Sequence, residues 1–276
     1  MPASESDPTE FLRRLGESGD GPHDIARAAL MLAALDREPR SLAPYETHLD
    51  KIAEAGRNDL RFVFRAEEAA RLLSTVLAGR FGYDGDRLAY DDPMNADLIS
   101  VIDRRRGLPV ALGILYIHAA RAAGFEACGL NTPAHFLLRI DVKGSNALID
   151  PFNGGAAVDR ERLGGPPGMS AAMPGESALS LRVSDSDVLL RLQNNIRLRA
   201  LKAGDRERGL EIARRMVLVA PGRPDLWMEL ARLHEAGGSL GAAKRAYEAC
   251  LALVKPGDGL HNEAVVRLSG LKRRIN

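Results

Sequence analysis

The chain has 276 residues, of which 45% are apolar and 27% charged, with a net charge of +1. That length suits two domains, and the apolar share supports a genuine core. The near-zero charge and the 5% aromatic content give no electrostatic or base-stacking case for nucleic acid.

Residues 1–21 read as a flexible N-terminal tail holding a short amphipathic piece at 10–15. From 24 to 36 apolar residues recur at helical spacing (Ile25, Ala28, Ala29, Leu32, Leu35), and Pro39 ends the run. Further helices are predicted over 45–55, 66–80 and 97–104. The segment 110–123 is apolar nearly all round, so it predicts a central helix. Pro109 suits its first turn, where a missing N–H costs nothing, and Gly124 suits its stop. Then the period changes to that of strands, at 125–130 and 135–142. A turn at 143–146 leads to a return strand at 147–150.

Residues 163–182 are rich in glycine and proline and read as a linker, leaving 22–162 as one domain. Gly164-Gly165-Pro166-Pro167-Gly168 is broken by proline and opens no helix, so it is no phosphate loop. Residues 183–276 repeat with a period of about 33–35, the tetratricopeptide signature. Trp227, Leu230, Ala231, Ala243, Tyr247 and Pro256 fall where large, small and helix-ending residues are wanted. The unit before them is degenerate, and 262–275 would cap the stack.

A helix at 110–123 followed by a hairpin with His135 and Asp150 is the order of a papain-like cysteine triad. In that chemistry a helix N-terminus acidifies a thiol, an imidazole takes its proton and a carboxylate orients the imidazole. Arg121-Ala122-Ala123-Gly124-Phe125 and Asp150-Pro151-Phe152-Asn153-Gly154 resemble the transglutaminase-like pattern. Where that family has its nucleophilic cysteine, this chain has Pro109. Asp92-Pro93-Met94-Asn95, Arg105-Arg106-Gly107-Leu108-Pro109, Pro133-Ala134-His135-Phe136 and Ile149-Asp150-Pro151-Phe152-Asn153-Gly154-Gly155, followed by the repeats, resemble more narrowly the bacterial SirB family. That family is related to a domain of some eukaryotic F-box proteins. The resemblance implies an α+β fold, with a central helix packed on a small antiparallel sheet and an all-α repeat region after it. It implies His135 and Asp150 as remnant triad positions and no known reaction.

Each residue also has a structural reading. His135 is either a buried structural histidine or a cleft residue paired with Asp150. Asp150 can fix its own turn through backbone N–H groups. Arg105 and Arg106 can bind an anion in the cleft or pair with Asp92, Asp97 or Asp103. Asn131 and Asn153 are further cleft candidates. His118 reads as packing, and Asp92, Asn95 and Asp97 as capping residues. Cys128 lies mid-strand, far from any helix N-terminus, and reads as inert, with a relocated nucleophile as the alternative. Cys250 reads as core. Two distant cysteines make no disulfide framework, and the six histidines lack metal-ligand spacing.

The polar N-terminus lacks a signal-peptide pattern, and 110–123 is too short to span a bilayer. The expectation is a soluble cytoplasmic protein with no cofactor, no metal, no membrane and no nucleic-acid partner. A non-catalytic interaction or regulatory module, using the repeats to hold a protein partner, is the first functional expectation. The alternatives are acyl transfer through Cys128 and hydrolysis by a His135/Asp150 dyad.

Overall fold

The computed structural model describes residues 7–37, 41–132, 136–158 and 182–275. The chain divides into two units, one of residues 21–189 and one of residues 1–20 with 190–276.

The first helix, α1 (Pro8–Glu17), belongs to the second unit. It is a helix within the stretch 1–21 that the sequence reads as a tail, of which residues 1–6 lie outside the described residues. Pro8 sits in its first turn and the Asp7 carboxylate accepts the Thr9 N–H, which ends the helix on the N side. Leu12 and Leu15 are buried, and Gly16 packs so tightly that a Cβ there would lie 2.2 Å from the Leu218 carbonyl oxygen. The amphipathic stripe visible at 10–15 is therefore a packing face.

The unit of residues 21–189 is assembled around one helix. Its elements are α2 (Ile25–Ala34), α3 (Ala43–Asp59), α4 (Ala66–Ser74) with a π-helical turn at Thr75–Arg80, the two-residue strand β1 (Asp84–Gly85), a 3₁₀ turn at Pro93–Ala96, α5 (Leu98–Arg104), β2 (Arg106–Gly107) and α6 (Pro109–Ala122). Strands β3 (Glu126–Asn131), β4 (Phe136–Val142), β5 (Ser145–Asp150), β6 (Ala156–Ala157) and β7 (Arg182–Val183) follow, in the sheet order β6-β5-β4-β3-β7, all antiparallel. Helix α6 is buried from Val110 through Ile117 and again at Ala119 and Ala120, as a helix without a polar face must be. Gly113 lets it approach the sheet: a Cβ there would lie 2.6 Å from the Phe136 ring. Gly124, at φ +84°, ends it. The register pairs Cys128 with Arg139 and Leu138 with Ile149. Leu130, Leu137 and Leu148 form a second small cluster with Val158.

One buried ion pair ties this unit together. Arg121 near the end of α6 grips Asp185 with two hydrogen bonds of 2.7 and 2.8 Å, and Asp185 also accepts the His23 N–H at 2.7 Å. Arg121 further donates to the Ala127 carbonyl, so one guanidinium joins helix, strand and chain entry. Most of the expected linker at 163–182 lies outside the described residues. Its last residue does not, and Arg182 begins β7, which pairs with β3.

In the second unit, α7 (Asp185–Lys202), whose first turns belong to the other unit, is followed by α8 (Arg206–Val219), α9 (Pro224–Ala236), α10 (Leu240–Leu253) and α11 (Gly259–Ile275). Gly204 and Gly238, both at positive φ, make the tight returns. Ala231, Ala243 and Tyr247 are buried between α9 and α10, and Trp227 donates to the Pro221 carbonyl at 2.7 Å. Arg197, Glu229, Arg232, Glu263 and Arg267 link α7, α9 and α11 through ion pairs. This is the helical-hairpin array that the repeat period foretells.

Candidate functional site

The site is built on the N-terminus of α6. Leu108 enters it in extended conformation, Pro109 is the first helical residue, and no side chain caps the end. The entry angle is set by the segment before it. The Leu108 N–H donates to the Asn95 carbonyl at 2.8 Å. Asn95 is fully buried and donates from its amide to the Ala89 carbonyl, while its Oδ1 has no hydrogen-bond partner. Asp92 accepts the Met94 N–H, and Asp97 accepts the Ser100 N–H at the start of α5. The Asp92–Asn95 motif thus works as a bracket that aims the α6 terminus.

Helix α6 presents no nucleophile at that end. Proline has neither a thiol nor a backbone N–H, so the uncapped terminus retains its partial positive charge without the group it would activate. Cys128 is the one cysteine of this unit. It lies in β3, half-buried, opposite Arg139. Burial pushes its thiol above the ordinary value, against the opposing pull of Arg182, which disfavours the reactive thiolate. Cys250 is buried in α10 and its thiol is raised for the same reason.

Asp150 is committed to its own turn. Its Oδ1 accepts the N–H groups of Phe152 at 2.9 Å and Asn153 at 3.3 Å, and its Oδ2 accepts the Asn153 side-chain amide at 2.5 Å. Asn153 in turn accepts Arg87 at 2.7 Å, and Arg87 lies over the Phe152 ring, against which Tyr90 packs edge-on. Asn153 is thereby placed between Asp150 and Arg87. His135 lies outside the described residues, as does the side chain of Asn131, so their geometry toward Asp150 remains an expectation.

The two arginines before α6 do not take the acidic partners expected of them. Arg105, in a left-handed conformation at φ 58°, donates to the Tyr83 hydroxyl at 2.5 Å and to His48 Nε2 at 2.8 Å, and stacks on the Tyr83 ring. Arg106 donates to the Gly82 and Arg105 carbonyls. Among the expected acids, Asp92 pairs with Arg104, Asp97 with Arg37, and Asp103 accepts Tyr45. The Arg105 guanidinium is instead taken up by Tyr83 and His48. Burial, with Arg105 and Lys51 adding, lowers the His48 pKa to about 4, so the imidazole is neutral and accepts from the guanidinium.

Tyr116, two turns into α6, escaped the sequence reading. Its hydroxyl is buried and has no hydrogen-bond partner. Burial pushes its pKa well up, and the charges of Asp84 and Asp150 push in the same direction. Gly155, at φ +75°, closes over it: a Cβ there would lie 2.6 Å from the phenol oxygen. The available signal was one hydroxyl within the apolar run 110–117 of the helix. His118, in contrast, donates its Nε2–H to the Leu49 carbonyl at 3.1 Å and packs as expected. Among the described residues no group of three or more ligating side chains could hold a metal, and no helix is long and apolar enough to cross a membrane.

Comparison with known proteins agrees with this layout. Residues 43–194 match the model of the transglutaminase-like superfamily, and residues 196–267 match that of the tetratricopeptide repeat. A UPF0162 protein of Xylella fastidiosa is 26% identical over 230 residues, which covers 80% of this chain and 82% of the relative. A UPF0162 protein of Vibrio cholerae is 35% identical over 99 residues, 35% of this chain and 37% of the relative. Mouse F-box only protein 21 is 32% identical over 81 residues, covering 29% of this chain and 13% of that protein.

Proposed function

The chain belongs to the transglutaminase-like superfamily, and we propose that it is a non-catalytic member, of the SirB type, acting as a protein-interaction or regulatory module. One observation carries this reading. Pro109 occupies the first turn of α6, where the superfamily's nucleophile would stand. The α6 terminus is intact, bracketed by Asn95 and uncapped, yet it has no atom that can attack a carbonyl. The tetratricopeptide region supports the interaction half of the reading, since such repeats present extended surfaces to protein partners.

The acyl-transfer alternative through Cys128 finds no support in a desolvated strand thiol. A water-activating His135/Asp150 pair would need a carboxylate that already accepts three hydrogen bonds from its own turn. The test is turnover by the full chain. Glutamine-donor peptides with amine acceptors, and peptide amides alone, should give no product above background. Turnover that disappears in Cys128→Ser would overturn the proposal, as would turnover that disappears in Asp150→Asn.

A further inference from the structure

The loop between α3 and α4 reads Arg61-Phe62-Val63-Phe64-Arg65. Its apolar residues alternate in exposure. Leu60 and Val63 are buried anchors, whereas Phe62 and Phe64 are 73% and 58% exposed, the two most exposed phenylalanines among the described residues. The loop is fixed at both ends. The Leu60 N–H donates to the Gly56 carbonyl, and the Ala66 N–H donates to Ser145 Oγ at 2.8 Å. That second bond sets the loop beside the β4–β5 turn. Lys143 of that turn lies 3.8 Å over the Phe64 ring, and Arg61 lies 5.0 Å over Phe62. Arg65 is 77% exposed, with only a long 3.5 Å pair to Glu67.

Two protruding rings, each with a cation on its face, require an occupant that is apolar at its centre and anionic at its rim. We propose that this patch docks on an anionic phospholipid surface, with Phe62 and Phe64 entering the boundary of the acyl chains and Arg61, Arg65 and Lys143 meeting the headgroup phosphates. The exposure of the rings argues for a surface rather than a peptide. A peptide is recognised in a groove or on a sheet edge, and a groove wall would hide more of a ring than the 27% covered at Phe62, since 73% of it is open. Single-stranded nucleic acid would need a basic track extending from the rings. Here Glu67 and Glu68 come one residue after Arg65, beyond Ala66, which interrupts any such track. Apolar insertion combined with basic residues is the two-part signal that holds a peripheral protein on a membrane. This differs from the expectation of no membrane partner, which rested on the lack of a spanning segment; a surface-bound protein needs none.

The test is co-sedimentation of the full chain with vesicles of phosphatidylcholine alone and of phosphatidylcholine with phosphatidylglycerol. Binding should appear with the anionic lipid only and weaken as salt is raised. The double substitution Phe62→Ser with Phe64→Ser should lower the partition coefficient at least about tenfold. Lys143→Glu should lower it by about fivefold or more. If the serine variant does not fold, Arg61→Glu with Lys143→Glu decides the matter, because both side chains are exposed. Absence of binding, equal binding to neutral vesicles, or binding unchanged in the variants would overturn the proposal. So would binding of an acidic peptide or an oligonucleotide at this patch in a chain that ignores vesicles.

Discussion

Both units bury some polar side chains, Asn95 and Asp185 in one and Gln193, Arg215 and His234 in the other, but two of their ion pairs contrast sharply. Around α6 the polar groups are drawn inward. Asp185 is 5% exposed and Asn95 fully buried, and each holds backbone together at a turn or an element end. In the repeat unit many lie at the surface, where Arg232 and Glu263 pair across α9 and α11 with side chains 41% and 36% exposed. An inward polar group is costly to remove, because its partners are left buried and unpaired. An outward pair is cheap to remove, because water replaces the lost partner. The Arg121–Asp185 pair should therefore respond steeply to substitution, and the Arg232–Glu263 pair weakly.

The largest expected effect follows from the buried pair. Asp185→Ala strands the Arg121 guanidinium and the His23 N–H, and should cost about 3–5 kcal/mol in urea unfolding followed by circular dichroism. A loss under about 1 kcal/mol would place this pair with surface bridges and erase the contrast.

A smaller effect is set by pH. Burial lowers the His48 pKa in the folded chain to about 4, below the ordinary imidazole value of about 6.5. The unfolded state thus binds more protons in that window, so stability should fall as pH drops from 6.5 toward 4 and stay flat above it. His48→Gln should remove this slope while leaving the fall due to carboxylates. A slope unchanged in the variant would mean that the fold does not depress the His48 pKa.

The smallest effect belongs to the repeats. Arg232 holds the Glu263 carboxyl below its ordinary pKa, yet the pair is open to solvent. Glu263→Gln should cost no more than about 1 kcal/mol and should lose that effect in high salt. Trp227, the one tryptophan of the chain, lies in α9 and reports on this unit by fluorescence. A cost as large as that of Asp185→Ala would make the two pairs alike.

Legibility in the sequence followed the same division. Helix α6, the hairpin and the α9–α10 pair could be read because each has a period and a stop: Pro109 and Gly124, the turn at Lys143-Gly144, and Gly238. Helix α1 was missed because 10 residues with two large inward leucines are indistinguishable from an amphipathic tail until a partner covers them. The partners of Arg105 were missed for a different reason. They follow from a left-handed residue that is not glycine, and no local pattern announces one. The bracket role of Asn95 depends on a contact across 13 residues to Leu108, whereas its neighbour Asp92 caps locally and was legible. Asp150 was readable twice, as a triad remnant and as a turn-fixing residue; the second role is the one its hydrogen bonds display.

In the proposed reading, the α6 N-terminus is the setting of an activated nucleophile with Pro109 in its place. The most direct measurement is the pH dependence of alkylation of Pro109→Cys, with the wild-type chain and its two raised thiols, Cys128 and Cys250, as the reference. A new thiol at an uncapped helix N-terminus should titrate clearly below the free value of about 8.5. A new thiol that titrates at or above that value would contradict the account.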